Sequence, residues 1–131
     1  MDFVAVDVET ANADRASICQ IGLAKYEQGV LSQEWKSYVD PEDYFDDINV
    51  YIHGIDESVV KGAPTFPALA DKLYSFLDTR VIVCHTHFDR VAMHQAAVTR
   101  KPAAHRINER SAHTPASWCV NMTTWRPLSG M

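Results

Sequence analysis

The chain has 131 residues, of which 47% are apolar, and a formal net charge of −5. This length predicts one domain that can bury a real core, and no apolar run reaches membrane-spanning length, which argues against a helical membrane protein. Acidic residues crowd the first ten positions, which argues against a secretory signal peptide, and the three scattered cysteines are typical of reduced core thiols. We therefore expect a cytoplasmic protein without a disulfide framework.

The charge is unevenly distributed along the chain. Residues 1–89 carry 16 acids and 6 Lys or Arg, whereas residues 90–131 carry 1 acid and 6 Lys or Arg. A basic C-terminal third could contact phosphates, and an acidic body tolerates a nucleic-acid substrate where metal ions screen the site. An ordinary surface with a basic tail explains the same distribution.

Three strands are predicted first. Phe3–Thr10 is an apolar run with both faces apolar up to its acidic end, which favours a buried, central and parallel strand. Residues 17–26 form the second strand, and a turn signal at residues 27–29 leads into a third strand over residues 30–39. The three strands should form an antiparallel meander.

The remaining pattern alternates helices and strands, which completes the order βββ-α-β-α-β of a mixed α/β domain. In chain order we expect a short helical turn within 43–53 ended by Gly54, a helix capped by Thr65 and running to Leu77, a strand at 80–84, a helix at 89–99, a loop at 101–117 and a last strand at 118–123.

Two carboxylates end the first strand. Asp7 and Glu9 are two residues apart and therefore point to the same side. Like charges at the end of a buried strand are costly unless a positive charge lies between them, and oxygen ligands suit a divalent metal ion. The alternative is a pair of solvated acids where the strand runs into a loop.

Asp89 is a candidate third carboxylate because it follows a strand and opens a helix. Three acids from two adjacent strands could hold two divalent ions about 4 Å apart, an arrangement suited to in-line phosphoryl displacement. An acid at a helix start is also favourable without any function. A zinc site at Cys84, His85 and His87 is disfavoured, because adjacent strand positions point apart.

Several motifs together resemble one family, the DEDD or DnaQ-like 3′–5′ exonucleases, to which the epsilon subunit of bacterial DNA polymerase III belongs. The resemblance covers residues 2 to about 97 and continues less closely over residues 118–126. The matching motifs, in the family's order, are Asp7-Val8-Glu9-Thr10, Gln20-Ile21-Gly22, Ile52-His53-Gly54-Ile55, Ala63-Pro64-Thr65-Phe66 and Phe88-Asp89.

The resemblance implies an RNase H-like mixed sheet with flanking helices, and release of nucleoside 5′-monophosphates from DNA or RNA. Asp7, Glu9 and Asp89 would be the catalytic carboxylates and would hold two Mg²⁺ or Mn²⁺ ions. Four residues would form the substrate site: Thr10 would touch the terminal nucleotide, His53 would lie near its base or sugar, His85 could donate a hydrogen bond, and Phe88 would pack behind Asp89.

The sequence departs from the family in two places. Cys84 and His85 stand where many members have His-Asn, and no Asp follows Asp89, so the His and Asp that complete the family's site lack a counterpart. We therefore expect residues 1–131 to form one exonuclease-like domain that is incomplete at its C-terminal end, with its last helix or helices missing, a weak second metal site and feeble activity.

An alternative is a non-catalytic module that keeps the fold and binds nucleic acid or a polymerase subunit. A missing last helix would also leave apolar surface uncovered. A second copy in a homodimer, a rearranged segment of residues 100–131 or a separate chain would then cover that surface.

Overall fold

The computed structural model describes residues 2–78, 80–84, 86–99 and 126–127. Its elements are β1 (Phe3–Thr10), β2 (Ile18–Glu27), β3 (Val30–Tyr38), α1 (Asp47–His53), a 3-10 turn (Pro67–Leu69), α2 (Ala70–Leu77), β4 (Ile82–Cys84), α3 (His87–Thr99) and β5 (Arg126–Pro127).

The strands form one mixed sheet in the order β3-β2-β1-β4-β5. β1 pairs antiparallel with β2 and parallel with β4, so the apolar run with the acidic end lies at the centre of the sheet. β2 and β3 are antiparallel and are joined through Gln28 and Gly29, which both adopt positive φ. The predicted meander and the mixed α/β class are confirmed.

The larger of the two core clusters described lies on one face of the sheet. Val4, Val6 and Val8 of β1 pack in one cluster with apolar residues of α2 and α3. The opposite face of β1 is more open, since Asp7 is exposed and its neighbours on that face are only partly buried. The prediction that β1 is buried on both faces is therefore wrong for the part of the molecule described, because α2 and α3 both contribute to the same side.

The α2 helix starts differently from the prediction. Pro67 opens a 3-10 turn that runs into α2, and no side chain caps either start. Proline suits the first turn of a helix because it has no N–H to leave unpaired. Thr65 instead forms an isolated bridge with Asp40, so the expected Thr65 cap is wrong.

The α1 helix confirms the predicted helical turn within residues 43–53. Asp46 caps it by accepting a hydrogen bond from the Ile48 N–H at 3.5 Å, and Gly54 ends it in the left-handed conformation at φ 74°. None of its residues is buried, and Tyr51 is 89% exposed. Polar contacts rather than apolar burial must therefore hold α1 in place.

The last elements shift the predicted boundaries. α3 begins at His87, two residues before the predicted start. The strand predicted at 118–123 lies outside the described residues, and β5 at Arg126–Pro127 pairs parallel with β4. Among the residues described, no helix has the length and apolar character needed to cross a membrane.

Candidate active site

A hydrogen bond between a backbone N–H and a side-chain carboxylate joins the carboxyl end of β1 to the start of α3. The last residue pair between β1 and β4 is Val6 with Cys84. Val8 therefore lies beyond the β4 pairing on that side of β1. The Val8 N–H donates to Asp89 Oδ1 at 3.0 Å. Asp89 is only 5% exposed. Its carboxylate is thus the acceptor for a β1 N–H beyond the last β4 pair, at the residue that lies between Asp7 and Glu9 on β1.

The three carboxylates interact through their charges. Burial raises the pKa of Asp89 above its ordinary value, the Val8 hydrogen bond opposes this, and the charge of Asp7 adds to the rise. Burial also raises the pKa of Glu9, and the charges of Asp7 and Asp89 add to it. Clustered like charges favour the protonated form of each other, so this end of the sheet would be stabilised by a cation.

The arrangement fits a divalent ion by donor chemistry but is not an assembled coordination sphere. Within the described ranges, no three His, Cys, Asp or Glu side chains are grouped closely enough to hold a metal ion. All three candidates offer carboxylate oxygens, which hard divalent cations prefer. The assignment of Asp7, Glu9 and Asp89 as metal ligands stays a prediction, supported by their mutual repulsion.

Two side chains of α1 bond to the backbone of Thr10, the predicted nucleotide contact. Thr10 is only 4% exposed, so its side chain offers little surface to a substrate. The Asn49 amide donates to the Thr10 carbonyl at 3.1 Å, and His53 Nε2 lies 2.8 Å from the same oxygen. The structure thus places Thr10 in the framework that connects β1 to α1.

The His53 ring has a backbone partner at each of its two nitrogens. The Ile55 N–H donates to Nδ1 at 3.0 Å, so Nδ1 carries no proton. Nε2 must then carry one and donate it to the carbonyl of Thr10. Both nitrogens of His53 thus have backbone partners, and a contact to the terminal base or sugar, which stays a prediction, would have to use the ring surface.

The sequence analysis missed two residues that shape the site. Asn49 bonds to the Thr10 carbonyl and also reaches the Asn12 carbonyl at 3.4 Å. Asn12 is fully buried, and its own amide donates to the Tyr44 carbonyl at 2.8 Å. Asn49 and His53 are four residues apart, so their shared helix face could have been read from the sequence; the burial of Asn12 could not.

Three further residues of the predicted second motif are Phe88, His85 and Cys84. Phe88 is 39% exposed, so it lies partly at the surface, and its packing behind Asp89 stays a prediction. Its place in the first turn of α3, immediately before Asp89, leaves the ring accessible. His85 lies outside the described residues. Cys84 is a buried free thiol, as expected for a core cysteine, and Cys19 is another.

Most of the chain matches the model of a known protein family. A family model described as "Exonuclease", RNase_T, matches residues 4–122, which is most of the chain. The chain belongs to this exonuclease family. Its enzymes are hydrolases that act on phosphodiester bonds of nucleic acids, and the DEDD resemblance expected from the motifs is confirmed.

Individual relatives agree with this assignment. The chain is 30% identical over 91 residues to the 3′-5′ exonuclease DinG of Bacillus subtilis (strain 168), which covers 66% of this chain and 10% of the relative. It is also 30% identical over 91 residues to the PolC-type DNA polymerase III of Caldanaerobacter subterraneus, covering 67% of this chain and 6% of that one. The chain therefore spans a small part of each relative.

A solved structure supports the fold. The nuclease domain of 3′hExo, a DEDDh family member bound to rAMP, matches with a TM-score of 0.62 at 15% identity, covering 77% of this chain and 60% of that one. The identity is low, so this match bears on architecture. The RNase H-like expectation for the sheet is confirmed.

Proposed function

We propose that this chain is a 3′–5′ exonuclease module that hydrolyses the terminal phosphodiester bond of a nucleic acid and releases a nucleoside 5′-monophosphate. The observation that carries the proposal is the Asp89 carboxylate, which is buried and bonded to the Val8 N–H between Asp7 and Glu9 on the sequence. An acid in the first turn of a helix is favourable there without being buried. Here Asp89 is buried at the carboxyl end of the central strand, where α/β enzymes commonly have their sites.

In this proposal, some residues bind metal ions and others position them. Asp7, Glu9 and Asp89 would hold Mg²⁺ or Mn²⁺, and bound ions would neutralise the phosphate charge and favour formation of hydroxide from water. Val8 orients Asp89 through its N–H, and Asn49 and His53 hold the backbone at Thr10. The terminal nucleotide would lie against this end of β1, beside the exposed apolar side chains of α1.

The reaction also needs a general base, which the family supplies from a His on a helix near the end of its domain. No Asp follows Asp89 in this sequence, and no His here is followed five residues later by an Asp. General-base assistance contributes typically about 10²- to 10⁴-fold in rate. We therefore expect this polypeptide alone to be a slow nuclease, with the second metal bound weakly.

A second candidate function is a binding module that keeps the fold without turnover. The polymerase in the name of the PolC-type relative favours it, because it makes a DNA polymerase subunit a reasonable partner. In both proposals the ligand is the 3′ end or a single strand of nucleic acid. The two differ in hydrolysis and share metal binding.

The deciding experiment is digestion of 5′-labelled single-stranded and 3′-recessed oligonucleotides with Mg²⁺ or Mn²⁺. Stepwise shortening from the 3′ end, lost with EDTA and in Asp7→Ala, would support the exonuclease proposal. Asp71→Ala is the matched control, because Asp71 is an exposed acid on α2, which packs on the other face of the sheet. Shortening that persists in Asp7→Ala would contradict the proposed site.

A further inference from the structure

The sheet face that carries Asp7 and Glu9, called here the open face, also carries two rows of residues leading away from these acids. In the strand register, Asp7 lies opposite Gly22, which lies opposite Lys36. In the next row, Glu9 lies opposite Gln20, which lies opposite Tyr38. Residues directly paired across neighbouring strands share a face, so both rows lie on the side of the carboxylates.

Gly22 leaves a gap in the first row. Among the described residues, a Cβ at this position would meet the Asp7 carbonyl oxygen alone, at an ordinary contact distance of 3.9 Å. Gly22 is also not among the described glycines with positive φ. Within the described part of the chain, neither packing nor backbone conformation therefore requires glycine here, and a glycine inside a strand commonly marks the close approach of a ligand or another backbone.

Lys36 lies at the far side of this gap. Its side chain is exposed, and within the residues described the ion pair found is that of Lys25 with Glu27, so Lys36 has no carboxylate partner within 4.0 Å. Two strand spacings separate it from Asp7, about 10 Å.

The second row adds neutral polar groups. Tyr38 is 44% exposed, so its phenol and ring face are accessible, and Gln20 is half-buried beside it. A phenol O–H, an amide and an ammonium group can all donate hydrogen bonds to phosphate oxygens. A path about 10 Å long suits about three stacked nucleotides at 3.4 Å per step.

We propose that the Gly22–Lys36 row, flanked by Gln20 and Tyr38, forms a groove that binds the sugar-phosphate backbone of a single-stranded nucleic acid whose 3′ end lies at Asp7 and Glu9. Gly22 lets the strand approach the sheet, and Lys36 contacts a phosphate upstream of the terminal one. The direction of the strand rests on the proposed exonuclease function. The groove itself needs neither metal nor hydrolysis, so it can be tested separately.

The first test measures the affinity of a fluorescein-labelled 12-residue oligothymidylate by anisotropy in EDTA, over 50–200 mM salt. One phosphate contact to a single strand contributes about 0.7 to the slope of log K against log salt, which corresponds to about eightfold in affinity at 50 mM relative to about 1 M salt. Lys36→Ala should therefore reduce the salt slope by about 0.7 and the affinity at 50 mM by about eightfold. Lys72→Ala is the control, since it removes the same charge from α2 on the other face of the sheet.

The second test fills the gap with a side chain. Gly22→Val should keep or raise the melting temperature, because β-branched residues suit strands and the site has room, yet it should weaken oligonucleotide binding. Wild-type affinity in Gly22→Val, or an unchanged salt slope in Lys36→Ala, would overturn the groove. A Lys36-dependent slope in a protein without hydrolysis would sustain the groove and count against the exonuclease proposal alone.

Discussion

Asp89 has two roles in the structure. Its Oδ1 accepts the Val8 N–H, and its charge lies near those of Asp7 and Glu9. The first role stabilises the fold, because a buried N–H without an acceptor costs about 1–3 kcal/mol. The second role opposes folding in the absence of metal, because burial and the charge of Asp7 disfavour the ionised carboxylate. Substitutions can separate the two.

Asp89→Asn should keep the hydrogen bond and remove the charge. The pKa of Asp89 is raised above 3.8 in the folded state, so the folded protein binds this proton more tightly than the unfolded chain. Its contribution to stability is therefore present below the ordinary pKa and lost as pH rises through the raised one. At pH 7 in EDTA, Asp89→Asn should melt at or above the wild-type temperature, whereas Asp89→Ala should melt below it.

Thermal denaturation from pH 4 to 8 measures both effects. The wild-type melting temperature should fall more steeply with rising pH than that of Asp89→Asn, with Glu9 leaving a residual slope. A loss in Asp89→Asn as large as that in Asp89→Ala would show that the charge itself supports the fold.

Cys19 is a second residue whose chemistry depends on its surroundings. Burial, with the charge of Glu9 adding to it, raises the pKa of Cys19 to about 12 from 9.0. At pH 8 the thiolate fraction should therefore be about a thousandfold lower than that of an ordinary thiol. Iodoacetamide should leave the Cys19 peptide unmodified in native protein and modify it in urea, as read by mass spectrometry; rapid native modification would contradict this environment.

At the scale of the element, α1 is held by few contacts that lie close to the site. It buries none of its residues, and its links to the end of β1 include Asn49 and His53 bonded to the Thr10 carbonyl, with the Asp46 N–H bonded to the Ala11 carbonyl just after β1 at 2.9 Å. Apolar packing is distributed over many atoms, whereas this attachment depends on a few hydrogen bonds. The helix should therefore open locally before the sheet does.

Asn49→Ala should loosen α1 without unfolding the protein. We expect a loss of about 1 kcal/mol for the broken bond and a larger rise in amide exchange over α1 than over β1 and β2. Tyr51→Ala is the matched control on the same helix, because Tyr51 is 89% exposed and its loss should change stability by less than about 0.5 kcal/mol. Equal exchange rates in the two variants would refute the attachment.

At the scale of the whole molecule, the described sheet has one packed face and one open face. The packed face carries the core shared by β1, β2, β4, α2 and α3. The open face carries the carboxylates and the proposed nucleic-acid groove. Such a division lets stability and ligand binding be changed independently, because substitutions on the open face remove little buried apolar area.

Metal binding should therefore appear as stabilisation of the whole fold. At a metal concentration of 100 times Kd, binding to the folded state alone adds about 2.7 kcal/mol. Mn²⁺ or Mg²⁺ should raise the melting temperature of wild type and of Asp71→Ala, with no rise in Asp7→Ala or Asp89→Asn. An equal rise in all four proteins would assign the metal to another place.

Much of this protein could be predicted from short-range patterns. Alternating apolar residues and the turn at Gln28-Gly29 gave the meander, and the spacing of Asp7 and Glu9 placed them on one face of β1. The motif series around these acids was enough to predict the family that the comparisons show. These features follow from backbone periodicity and local conformation, which neighbouring residues determine.

Other features depend on where distant segments meet. Asp89 bonds to Val8, 81 residues away, only because β4 ends at Cys84 and leaves the Val8 N–H to it. Thr10 is buried rather than exposed to substrate because Asn49 and His53 close over its carbonyl. Which face of β1 is open was likewise decided by α2 and α3 packing on the same side. Sequence periodicity specifies the two faces of an element, but only the tertiary arrangement determines what covers each of them.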